Sequence, residues 1–324
     1  MHLTTPRISL PYPQGLSPDA EASRAHTLHW LEMRGVITEP GALRAYDGLR
    51  LERLAARAYP DARGADLDLA SDWMAWFFVF DDLFDGPLGR DVAAVDALVE
   101  EQLSMLQSAR PHRHPSLPLV AVFGELLERS AIGMSEAWRA RSAENWSRYI
   151  RAYQQEARER SQGVPGDLAT FLSLRRDSGG LPSSLDLGER VEGYELPLRL
   201  YESEPMAAMR SLCAEVVVIT NDIFSASKEA ALGQMHNLVL TRMRDSRCEH
   251  AAAEAWAVAL IAERILAFEQ AEQRMRQGVR TRSEWSNIDR FIRGMKNWMR
   301  GCSDWSAETS RYPSAEQLRA QQSA

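Results

Sequence analysis

This sequence predicts an all-α protein. Ala, Leu, Arg, Glu and Met are abundant, apolar residues recur three and four positions apart through long windows, and no run alternates well enough to form a strand. A length of 324 residues allows one large domain or two small ones. No low-complexity linker and no repeat of fixed period divides the interior. We therefore expect a single domain over 1–324, with an irregular segment at 1–16 and a loosely held polar tail at 313–324.

The elements follow from periodicity and punctuation. Ser17 before Pro18 makes a helix start, and Leu28, Leu31 and Ile37 continue an apolar stripe beyond it. Further helical windows fall at 41–58, 65–85, 91–108, 116–135, 136–162, 205–232, 247–278 and 283–302. Breakers separate them: Pro60, Gly86-Pro87, the PHRHP run at 111–115, Gly163 to Gly166, and the stretch from Gly179 to Pro182.

Bulk properties exclude several classes of function. The formal charge is −7 and no block of Lys or Arg stands out, which argues against a nucleic-acid partner. An anionic small substrate fits only if metal ions bridge it to acidic residues. Cys213, Cys248 and Cys302 are scattered and odd in number, as expected of reduced thiols in a cytoplasmic protein. The opening residues do not resemble a signal peptide, and no eighteen consecutive apolar residues predict a membrane span.

Two acidic helical faces, about 140 residues apart, carry the chemistry. The first is WFFVFDDLFD. Trp73, Trp76, Phe77, Phe78 and Phe80 leave little polar surface, so this helix is expected to be buried. Asp81 and Asp85 are four apart and share a face, with Asp82 about 100° round. Three unpaired carboxylates there would cost several kcal/mol, on the order expected for buried charge. Arg90, the nearest cation in sequence, cannot neutralise them all; a hard cation such as Mg²⁺ can. An isolated DDxxD could equally be a solvated helix end.

The second face is NDIFSASKE. Asn221, Ser225 and Glu229 lie at i, i+4 and i+8, within roughly 80° of one another on a helix. Amide, hydroxyl and carboxylate oxygens suit a magnesium ion that keeps some waters and borrows phosphate oxygens. The apolar run Val216 to Ile219 precedes them, and Lys228 is placed to reach a phosphate. The alternative is an ordinary polar stripe, although exposed stripes favour Glu and Lys over Asn and Ser.

At these residues the chain resembles the bacterial class I terpene synthases, and in particular the pentalenene synthase-like sesquiterpene synthases, over nearly its whole length. The aspartate-rich motif is DDLFD at 81–85. The N-D-x-x-S-x-x-K-E motif is unchanged at 221–229 and is followed by the family-like GQMHNLV at 233–239. The family's diphosphate-sensing arginine falls on Arg175, its linker position on Ser178 and its effector on Gly179; Arg176 is the fallback sensor. The C-terminal arginine–tyrosine pair matches Arg311 and Tyr312. The family often has Asp or Thr where this chain has Ser178, which leaves the coupling between sensor and effector open.

The resemblance implies an α-helical bundle around a central apolar cavity, and an enzyme, a carbon–oxygen lyase, that ionises a prenyl diphosphate. It implies three Mg²⁺ ions, two held by Asp81 with Asp85 and one by Asn221, Ser225 and Glu229. Arg175, Lys228, Arg311 and Tyr312 would donate to the diphosphate, and Phe77, Phe78 and Trp305 would line a dry pocket. Trp298 and the remaining tryptophans are read as core packing, and Phe80 and Phe84 as turned toward neighbouring helices. No histidine is assigned a role as base. Farnesyl diphosphate is the expected substrate; C10 and C20 chains stay open, as does a homodimer.

Three rivals remain. A chain-elongating prenyltransferase carries two aspartate-rich motifs, where this chain has the Asn–Ser–Glu triad as its second. A class II cyclase needs a D-x-D-D motif that DLDL at 66–69 does not complete. A non-catalytic helical module binding a metal or lipid would leave a prenyl diphosphate unreacted.

Overall fold

The computed structural model describes residues 8–107, 115–162, 168–234, 236–278 and 282–312. The expected tail at 313–324 and the PHRHP run up to residue 114 lie outside them. Residues 8–16 carry no helix, and among the described residues no strand occurs.

The chain enters through α1 (Ala20–Met33), capped at Asp19 and not at Ser17. Ser17 instead donates its hydroxyl to the Ala62 carbonyl at 2.8 Å. The window read as one helix over 41–58 is two, α2 (Pro40–Asp47) and α3 (Leu51–Ala58). The break falls at Arg50, whose φ of 54° is left-handed and cannot continue a helix. The aromatic helix α4 (Gly64–Phe84) follows, then a single 3-10 turn (Leu88–Arg90) and α5 (Val92–Gln107). After these come α6 (Pro118–Ala131) and α7 (Glu136–Gln162).

Two helices absent from the sequence reading come next: α8 (Leu168–Ser178) and α9 (Leu181–Val191). They are short and sit between breakers, so neither offers a long periodic window. The one-turn α10 (Leu198–Tyr201) leads into α11 (Glu204–Ala231). A third unexpected element, α12 (Leu238–Ser246), precedes the long α13 (His250–Gly278) and α14 (Arg282–Glu308).

The packing explains why α4 and α11 are so apolar. α4 lies against α1, α3, α6 and α9, while α11 lies against α8, α12, α13 and α14. Trp73, Trp76 and Phe80 are buried, and Phe80 and Phe84 do turn toward a neighbouring helix: Phe80 meets Tyr153 of α7 edge-on at 5.0 Å, and Phe84 stacks on it at 4.3 Å. Where α4, α11 and α14 stop packing on their neighbours, they leave a cavity with about 160 Å³ of void. All three run with their C-terminal ends toward its acidic mouth, so sequence position along each helix measures depth. Among the described residues no helix is long and apolar enough to cross a membrane.

Candidate active site

Of the residues singled out from the sequence for the site, all but Asp82 and the fallback Arg176 line this one cavity. Asp81 and Asp85 enter from the end of α4, and Asn221, Ser225, Lys228 and Glu229 from the last turns of α11. The two acidic faces meet at the mouth, where Lys228 Nζ lies 3.5 Å from Asp85 Oδ2 and Gln234 Nε2 donates to Asp85 Oδ1. Lys228 thus engages a carboxylate. Asp82 does not line the cavity; it turns toward Arg311.

The cation that Arg90 could not supply comes from the far end of the chain. Arg311 donates to both oxygens of Asp82, at 2.8 and 3.2 Å, and to Asp81 Oδ2 at 3.4 Å. Its guanidinium also lies 4.8 Å from the Phe78 ring centre. Three anchors hold this segment in place. Trp305 Nε1 and Thr309 Oγ1 donate to the Leu49 carbonyl at 2.9 and 2.8 Å, and Ser310 Oγ donates to the Gly48 carbonyl at 2.7 Å. The α2–α3 turn therefore positions Arg311 and Tyr312 over the mouth. Tyr312 accepts a 2.6 Å hydrogen bond from Asn221 Nδ2 and packs edge-on against Trp305.

On α8 the two adjacent arginines face different surroundings. Arg175 points into the cavity and pairs with the buried Asp222 at 2.6 Å, with a further donor bond to Ser178 Oγ at 3.3 Å. Arg176 points away, bonding Glu215, which Arg264 also engages. Ser178 is thus in contact with Arg175. Gly179 and Gly180 let the junction of α8 and α9 pass between α4 and α11. A Cβ on Gly179 would stand 2.4 Å from Val218 Cγ1, and one on Gly180, whose φ is +65°, would stand 2.7 Å from Phe77.

The electrostatics favour an anionic ligand bridged by cations. The Asp81 carboxyl is pushed up to about 6, first by the crowding cleft walls; Arg311 opposes this, and the like charges of Asp82 and Asp85 add to it. Asp81 is nevertheless 53% exposed, so water in the cleft tempers that rise. Glu229 is pushed up to about 7 by burial and by Asp222, against the pull of Arg175. Burial works against the Arg175 charge, but Asp222, Glu156 and Glu229 outweigh it and hold the guanidinium charged. Asp222 feels burial upward and Arg175 downward. The short pair, with the Leu238 N–H on its other oxygen at 2.8 Å, keeps it a carboxylate.

Three of the described cavity-lining residues bury a polar atom without a partner: Glu229 (Oε2, an acceptor) and Arg175 (Nε, a donor) near the mouth, and Trp298 (Nε1, a donor) further in. The orphans near the mouth mark where a ligand completes the bonding. Among the described residues no three His, Cys, Asp or Glu form a ready metal cage. A hard cation here must take amide and hydroxyl oxygens from Asn221 and Ser225, waters, and oxygens from its substrate. The donor set fits one that binds that way.

The sequence reading missed several participants. Tyr153 on α7 donates to Asp81 Oδ1 at 3.3 Å and is itself bonded to Tyr149, 2.7 Å away and also on the cavity wall. Their i, i+4 spacing was the available signal. Asn237 is fully buried; its Nδ2 donates to Ser225 Oγ at 3.2 Å and to the Asp222 carbonyl at 2.8 Å. Its Oδ1 caps α12 by accepting from Val239 and Leu240. Trp298, read as core packing, belongs to the buried core and also lines the cavity, because Trp298, Cys302 and Trp305 at i, i+4 and i+7 form one stripe of α14.

Residues 72–267 match the family model described as terpene synthase family 2, C-terminal metal binding. The chain belongs to the terpene synthase family. It is 37% identical to pristinol synthase of Streptomyces pristinaespiralis over 95% of this chain and 85% of that protein. It is 36% identical to a (−)-β-caryophyllene synthase of Saccharothrix espanaensis over 94% of this chain and 87% of the relative. Among solved structures, a variant of cucumene synthase superposes with a TM-score of 0.85 at 32% identity, covering 94% of this chain and 100% of that one. The protein is an all-α class I terpene synthase, a carbon–oxygen lyase acting on diphosphates.

Proposed function

We propose that this enzyme ionises farnesyl diphosphate with Mg²⁺ and closes the resulting carbocation into a sesquiterpene. The observation that carries the reading is that an aspartate pair on α4 and an Asn–Ser–Glu ridge on α11 open onto one cavity with apolar depths. The C15 substrate is supported by the relative from Saccharothrix espanaensis, whose name specifies (2E,6E)-farnesyl diphosphate cyclisation.

In this reading Asp81 and Asp85 hold two magnesium ions, and Asn221, Ser225 and Glu229 a third. When bound, the ions neutralise the charge that develops on the departing diphosphate. The chain's own donors complete the clamp. Arg175 presents a fork already charged and held by Asp222; Arg311 and Lys228 exchange their carboxylate partners for phosphate oxygens; Tyr312 adds a hydroxyl. Fixed donors aimed at the leaving group lower the barrier to heterolysis because they need no reorganisation.

The cation left behind would be quenched by water, so the deeper wall has to be apolar. Phe77, Phe78 and Trp305 contribute ring faces there, and Phe78 meets Trp305 edge-on at 5.2 Å. No side chain is needed as a strong base for the final proton loss, since diphosphate or water can take it.

The test is diphosphate release and product analysis by gas chromatography–mass spectrometry with C10, C15 and C20 diphosphates in parallel. We expect cyclised C15 product, dependent on Mg²⁺. Asp81→Ala and Asn221→Ala should abolish it with helical circular dichroism intact. Preferential turnover of the C20 substrate would replace the sesquiterpene reading by a diterpene one. Wild-type activity in either variant would remove that residue from the site.

A further inference from the structure

Behind the cavity lies a second, much smaller hollow. It is lined by Tyr59, Leu185, Gly188, Glu192, Tyr194 and Gly294, among others, and it holds about 10 Å³ of void. A single water needs about 10–15 Å³ on this measure, so the hollow has room for roughly one. Glu192, Tyr194, Gly188 and Gly294 are each partly exposed, so the hollow lies close to the surface. Trp298 is the one residue that lines both this pit and the large cavity.

The indole is placed as a partition. On α14 Trp298 stands seven residues before Trp305, about 10 Å further from the mouth at 1.5 Å per residue. It is buried, and it meets the Tyr59 ring edge-on at 5.7 Å and 81°. Tyr59 is fixed in turn by a 2.7 Å hydrogen bond to the Ser184 carbonyl. The indole N–H of Trp298 is buried and makes no hydrogen bond of normal geometry, its nearest polar neighbour being the Tyr59 side chain. Tryptophan ordinarily finds a partner for that group when buried.

We infer that Trp298 is the water seal of the reaction chamber, separating a carbocation in the cavity from a near-surface hollow, roomy enough for one water, beneath it. The inference rests on the proposed ionisation of a prenyl diphosphate. The alternative, that Trp298 limits substrate length, is disfavoured by the size of the pit, which is too small to take five further carbons. With the indole removed, a water oxygen would use a lone pair to form a C–O bond to the cationic carbon. The oxonium would then lose a proton to a second water or to diphosphate, giving an alcohol that carries solvent oxygen.

The experiment is turnover of farnesyl diphosphate in H₂¹⁸O by wild type, Trp298→Phe, Trp298→Ala and the double variant Trp298→Ala/Gly294→Leu. A Cβ on Gly294, which borders the pit, meets nothing within 4 Å, so a leucine is accepted there without displacing a neighbour. Trp298→Ala should raise the ratio of ¹⁸O-labelled sesquiterpene alcohol to all other products about fivefold or more, as expected when water reaches the cation. Trp298→Phe should change it less, and Gly294→Leu should bring the alanine variant back toward wild type. If Trp298→Ala lacks native circular dichroism, Trp298→Leu carries the same comparison. An unchanged labelled fraction in a folded alanine or leucine variant overturns the seal, as does a gain of C20 turnover without labelled alcohol. If wild type releases no diphosphate from farnesyl diphosphate, the proposed function itself fails and the seal with it.

Discussion

Arg311 bridges to Asp82 across 229 residues of sequence, its two terminal nitrogens 2.8 and 3.2 Å from the two carboxylate oxygens. The fork is the geometry that recognises a phosphate, so the aspartate holds in place a donor set that a diphosphate can take over. Arg311→Ala should lower kcat/KM about 10²–10³-fold, the scale for losing one donor to a developing anion. Arg311→Lys should recover only part, because a point charge does not reproduce the fork. Diphosphate release kinetics check this, and a loss under threefold would contradict it.

Arg175 and Arg176 are adjacent yet face different surroundings. Arg175→Ala should abolish turnover with the helical spectrum intact. Arg176→Ala should leave kcat/KM within severalfold, because Arg264 still pairs with Glu215. Its effect should appear as a small fall in melting temperature, about 0–1 kcal/mol for a partly exposed pair. The reverse pattern would show that the sensor is Arg176.

Asn237 joins two jobs in one side chain. Asn237→Ala removes the cap of α12 and the donor to Ser225, and should destabilise the fold by about 1–3 kcal/mol. It should also raise the Mg²⁺ concentration needed for half-maximal rate. Asn237→Asp keeps the capping acceptor and loses the donor. It should retain more stability than the alanine variant while its Mg²⁺ requirement still rises, as thermal melts and metal titrations would reveal.

Glu192 gives a pH signature separate from catalysis. Its carboxyl is pushed up to about 7 by burial and Asp61, with Arg293 and Arg290 opposing. A carboxyl raised on folding binds its proton more tightly in the folded chain. Its contribution to stability therefore declines as pH climbs from the unfolded value of 4.5 through about 7. Glu192→Gln should raise the melting temperature at pH 8 and leave it unchanged near pH 4, where both states are protonated. Equal effects at both pH values would refute this account.

The composition and apolar periodicity sufficed for the all-α class, and i, i+4 spacing sufficed to put Asp81 with Asp85, and Asn221 with Ser225 and Glu229, on common faces. These are properties of a few helical turns, set by residues close in sequence. The same reasoning overlooked α8, α9 and α12, whose short windows lie between glycines and polar loops. It also merged α2 with α3, since both sides of Arg50 are periodic and the left-handed break depends on that residue's backbone.

Other features belong to the tertiary structure alone. Arg311 reaches Asp82 because the α2–α3 turn tethers the end of α14, and nothing local to either residue encodes that path. Asn237 becomes part of the site only where α12 folds back on α11. Trp298 has the same apolar character whether it packs in a core or walls a cavity. That choice depends on which helices stand opposite it and on the space they leave, and so it is decided only when the bundle closes.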